Sequence, residues 1–113
     1  MKMKVAMKNN VDHDSMAVLF NFAVAGQLKQ SLMREGLEPS EVWPFVESAV
    51  FDLAMMFDKG KFEINGRVFR PRISFVSEDG NVLPGSADYD HLHDYGIVTE
   101  EDLEDQKGFS LKF

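Results

Sequence analysis

The amino-acid sequence predicts an α+β fold: a small antiparallel sheet with two main helices packed on one face and a short acidic helical segment before a C-terminal strand. Three observations carry this. Two segments of about twenty residues repeat apolar side chains at helical spacing. An Asn65-Gly66 pair separates two short strand-like runs, and both chain ends, "MKMKVAMK" and "GFSLKF", alternate with a period of two.

The first run sets Met1, Met3, Val5 and Met7 against Lys2, Lys4 and Lys8, the pattern of a half-buried strand whose lysines discourage edge pairing. After "NNVDHD", Asp14 or Ser15 is the expected cap of a helix carrying Met16, Leu19, Phe20, Ala23, Leu28 and Leu32. It ends near Arg34 with Gly36 as the stop. Its first half is apolar nearly all round, which predicts deep burial there. "EPSEVWPF" begins a second helix, with Pro39 and Ser40 as turn and cap and Pro44 expected inside the first turn, where a missing N–H is harmless. Val42, Val46, Val50, Leu53 and Phe57 form its stripe, which ends at Lys59 and Gly60.

"KFEINGRVF" predicts a hairpin closed by a two-residue type I′ turn, because both central residues of that turn need positive φ and Asn-Gly is the preferred pair. In that register Ile64 faces Arg67 and Phe62 faces Phe69. Phe62, Ile64 and Phe69 then share one side, with Ile73 and Phe75 if the strand continues; Lys61, Glu63, Val68, Arg70 and Arg72 take the other. Pro71 predicts an edge position or a bend. Asp79-Gly80 marks another turn. "VTEEDLEDQKG" reads as a short helix capped by Thr99 and stopped at Gly108, and Phe109, Leu111 and Phe113 alternate as a last strand. No repeat or linker interrupts the 113 residues, which read as one domain, 1–113.

A hydrophobic fraction of 44% with ten phenylalanines supplies a core without staples and excludes global disorder. The absence of cysteine removes disulfides, thiolate catalysis and cysteine-bound zinc, and fits a reducing cytoplasm. No apolar region of signal-peptide length follows the N-terminal lysines, and the run 16–25 is broken by Asn21 and too short to span a bilayer, so a soluble protein without a membrane partner is expected.

The net charge of −7 is unevenly placed. Glu78, Asp79, Asp88, Asp90, Asp94, Glu100, Glu101, Asp102, Glu104 and Asp105 fall in a stretch without lysine or arginine. Lys59, Lys61, Arg67, Arg70 and Arg72 fall in another with only Glu63 against them. A contiguous negative surface attracts a basic partner and can present carboxylates as DNA presents phosphates.

"DYDHLHDYG", residues 88–96, is the densest group of reactive side chains. Two histidines two apart converge on a metal in a strand but diverge by about 200° in a helix. Ser86 as cap, Asp88 and Asp90 in a first turn and Gly96 as stop favour the helix, with Tyr89 and Leu92 inward. In the strand alternative His91 and His93 hold a metal with His13 or an aspartate as third ligand. A calcium loop from Asp88 fails, since Leu92, His93 and Thr99 stand where an oxygen ligand, a glycine and a glutamate belong. The chain shows no phosphate loop, no G-x-S-x-G and no cysteine nucleophile.

The expected function is therefore that of a small, acidic, non-enzymatic interaction protein without cofactor: a regulator or inhibitor of the phage or mobile-element kind with a DNA-mimic-like surface. Asp88, Asp90, Asp94, Glu100, Glu101, Asp102, Glu104 and Asp105 are the residues expected to contact a basic, nucleic-acid-handling protein. The alternative is a metal-assisted hydrolase using His91 and His93. A second is weak nucleic-acid binding through Lys61, Arg67, Arg70 and Arg72, which the acidic total disfavours. The terminal strands can pair within one chain or across a homodimer.

Overall fold

The computed structural model describes residues 12–84, 91–99, 101–102 and 111–113. Helix α1 spans His13–Arg34 and α2 spans Pro39–Lys59; strands β1, Phe62–Ile64, and β2, Arg67–Phe69, form an antiparallel pair, and a single 3-10 turn covers Leu92–Tyr95. This is a small α+β fold.

The cap of α1 is Asp12, not Asp14 or Ser15. Its Oδ1 accepts the Ser15 N–H at 2.8 Å, which leaves Asp14 to complement the dipole from the first turn. That N–H also holds the Asp12 carboxyl below the ordinary carboxylate range. Gly36 stops the helix as expected: at φ +96° it lets its own N–H reach the Met33 carbonyl at 3.0 Å while the Leu37 N–H reaches Leu32 at 3.3 Å. Leu32 and Leu37 both pack on the core beside that turn.

In α2, Pro39 occupies the first position, and Glu41 accepts the Glu38 N–H at 3.4 Å. Pro44 therefore lies beyond the first turn, inside the helix, where it cannot donate to the Ser40 carbonyl. The buried row is Val42, Val46, Val50, Ala54 and Asp58, a ladder of fours, while Leu53 and Phe57 flank it half-buried. On α1, Ala17, Val18, Leu19, Phe22 and Ala25 face it. The two helices find their apolar partner in each other and in the segment after residue 91, whose Leu92 and Val98 enter the core.

The hairpin has the register expected, Phe62 opposite Phe69 and Ile64 opposite Arg67, with Asn65 and Gly66 at φ 51° and 78°. Its position differs from the covered sheet. All six strand residues are exposed. β2 ends at Phe69, ahead of Pro71, so Ile73 and Phe75 do not extend it. Phe75 instead lies edge-on to His13 at 5.1 Å and to Phe20 at 6.1 Å, laying the loop against α1. Around Gly80, at φ +91°, Val76 bridges Val82 in a second tight turn.

Residues 111–113 are exposed and form no strand. The expected first strand, Ser86 with the start of the acidic helix, and the helical stretch towards Gly108 lie outside the described residues.

Because Gly36 adopts a left-handed backbone that closes α1, Gly36→Ala should cost about 1 kcal/mol in urea unfolding. An unchanged midpoint would show that the turn does not depend on it.

Candidate functional site

Two regions hold the expected site residues: the turn at 91–99 and the hairpin. The first is governed by a polar clasp. Asp58, 3% exposed at the end of the buried row of α2, accepts the Leu92 N–H at 3.1 Å on Oδ1 and the His93 N–H at 2.6 Å on Oδ2. His93 Nδ1 donates to the same Oδ2 at 2.5 Å. A carboxylate near a helix C-terminus opposes the dipole, and these three donors offset that placement. From α1, Asn21, 2% exposed, donates through Nδ2 to the Leu92 carbonyl at 3.1 Å. Both polar groups of Leu92 are thus held by buried side chains, one from each helix. Its own side chain is fully buried against Ala17 and Ala54, which are small enough to admit it. Gly96 follows closely over Phe51, whose Cδ2 would lie 3.2 Å from an added Cβ.

The inward position of Leu92 agrees with the helical reading; Tyr89 lies outside the described residues. His91 Nδ1 lies 3.2 Å from Asp94 Oδ2, and His93 Nε2 lies 3.4 Å from Asp94 Oδ1. The two rings flank one carboxylate instead of converging on a common point. Among the described residues no three histidine, aspartate or glutamate side chains are placed to share a metal ion, and His13 is buried against Phe75 at the start of α1.

The acidic candidates divide. Asp94 is exposed and held between the histidines, and Glu101 is exposed. Asp102 corrects the expectation of an outward contact. It is 2% exposed, its N–H donates to Thr99 Oγ1 at 3.0 Å, and its Oδ2 accepts the Thr99 N–H at 3.4 Å. Asp88, Asp90, Glu100, Glu104 and Asp105 lie outside the described residues.

The basic candidates are gathered on the hairpin. Every residue from 61 to 70 is exposed. Phe62, Ile64 and Phe69 share one face with Arg67, whose guanidinium carbon sits 5.1 Å from the centre of the Phe69 ring. Lys61, Glu63, Val68 and Arg70 take the opposite face. Arg72 donates to the Phe57 carbonyl at 3.2 Å, tying the base of the ribbon to the C-terminal turn of α2, where a cation is favoured. Arg72 is thereby a structural anchor, and Arg67 is an aromatic-backed charge.

Compared with known protein families, curated proteins and solved structures, the chain matches none. Among the described residues no helix is long and apolar enough to cross a membrane.

Asp58→Ala strands two N–H groups and should destabilise by about 2 to 4 kcal/mol, and Asn21→Ala by about 1 to 2 kcal/mol. The double variant should lose less than the sum, since both act on the backbone of one residue. Additive costs in urea unfolding would refute that coupling.

Burial, and then the charges of Asp14, Asp94 and Asp12, raise the Tyr95 phenol above its ordinary value. The folded protein then keeps that proton longer than the unfolded chain does. The contribution is whole below about pH 10 and is lost as pH rises through the higher folded value. Unfolding midpoints of Tyr95→Phe should decline less than wild type across that window; parallel declines would exclude the linkage.

Proposed function

We propose that this protein is a non-enzymatic interaction module in which the clasped helical pair is the scaffold and the β1–β2 hairpin is the face presented to a partner. The supporting observation is that the helices and the 92–98 segment close a core without the ribbon, while Phe62, Ile64 and Phe69, which share one face of it, stand 46 to 57% exposed. A two-stranded ribbon is only marginally stable unaided, and a contiguous exposed apolar patch marks an interaction surface. A regulator or inhibitor in the cytoplasm is the setting that a cysteine-free chain of this size fits.

A second reading uses the acidic surface, on which Asp94 and Glu101 are outward, to engage a basic protein. It is retained for the charge of the stretch 78–105 and loses Asp102 as a contact.

Affinity capture from the native host separates the two. Phe62→Ser with Phe69→Ser should abolish the specific partner while leaving the unfolding free energy of the helical core within about 1 kcal/mol of wild type, because neither side chain is in the core and what is lost is one cross-strand pair. Glu100→Lys with Glu101→Lys should leave it bound. The opposite pattern assigns the acidic surface and overturns the hairpin.

A further inference from the structure

Resting on the hairpin as the binding face, we infer that its occupant is an extended acidic peptide segment that adds as a strand to the outer edge of β2. In a two-residue turn the flanking pair, Ile64 and Arg67, exchanges the ladder bonds, so the N–H and C=O of Val68 point away from β1. No third strand pairs with that edge among the described residues. Open edges of this kind are extended by added strands, with main-chain bonds giving affinity and alternate side chains giving selectivity.

The side chains along the edge set the chemistry of the segment. Arg67 and Arg70 bracket Val68 and Phe69, so residues 67–70 read cation, apolar, apolar, cation. A complementary strand reads acid, apolar, apolar, acid, a sequence that is its own reverse and therefore fits a parallel or an antiparallel approach. Pro71 has no N–H and limits pairing beyond Arg70. The β1 edge is less suited, since Glu63 sits at its centre. A second copy paired through Val68 would set Arg67 opposite Phe69 and leave Arg70 opposite Gly66, so it would use neither cation against a charge. Nucleic acid would use the cations and Phe69 but leave Ile64 and Val68, 57% and 55% exposed, without a role.

Fluorescence anisotropy tests this with three labelled probes: a decapeptide with the core Glu-Val-Ile-Glu, its counterpart with the core Lys-Val-Ile-Lys, and a twenty-nucleotide oligothymidine. The acidic peptide should bind at least about tenfold tighter than the lysine peptide at low salt and lose affinity as salt rises. Arg67→Glu should remove that preference, with circular dichroism unchanged. Equal binding of the two peptides, no binding of the acidic one, or tighter retention of oligothymidine overturns the inference. So does concentration-dependent dimerisation of the protein that Arg67→Glu strengthens. If the peptide fails while Phe62→Ser with Phe69→Ser still loses the captured partner, the hairpin stands as the face and only the occupant is wrong. If that capture also survives the double substitution, the face itself is wrong.

Discussion

The described structure depends on how the backbone of one residue is held. Leu92 is carried between the helices with its N–H on Asp58 and its carbonyl on Asn21, so the polar cost of burying backbone there is met by two side chains that are themselves buried. Without both, Leu92 could enter the space between Ala17 and Ala54 only by leaving hydrogen-bonding groups unsatisfied in an apolar setting. The clasp orders much else. It sets His93 on Asp58, places Asp94 between two imidazoles, brings Gly96 over Phe51, and delivers Val98 to the main core.

In the described part of the densest reactive cluster, the side chains of His91 and His93 are engaged with carboxylates. Both rings flank the exposed Asp94, and His93 reaches the buried Asp58 as well. The hairpin has the opposite character. Its order comes from local terms, namely the Asn-Gly turn, the Phe62 and Phe69 pair, the Arg67 and Phe69 stack, and one anchor from Arg72 to the end of α2. The helical core thus closes without the ribbon, which stands exposed beside it.

What was legible in the sequence was mostly local. The hairpin register and the stop at Gly36 are written in adjacent residues whose backbone requirements are nearly unique. The structural roles of Asn21 and Asp58 are not legible locally, because their partner lies 71 and 34 residues away. A signal existed: the row 42, 46, 50, 54 continues to 58, so a carboxylate on that row had to meet a donor. Asp102 reads as surface charge in an acidic run, although Thr99 three residues before it spells a reciprocal cap. Pro44 lies inside the helix and not in its first turn because α2 begins at Pro39, earlier than a cap at Ser40 implies. The hairpin's exposure could not be read at all, since alternation specifies a face and not what covers it.

The bond from Asp58 to Leu92 also has a topological result. It pins together two points 34 residues apart, and the described residues between them include both tight turns and touch the helices again through Arg72 and Phe75. Loop-closure entropy grows only logarithmically with length, about 0.6 kcal/mol for each doubling. Changes in composition or length at the exposed tip of this excursion should therefore cost the helices beneath it little.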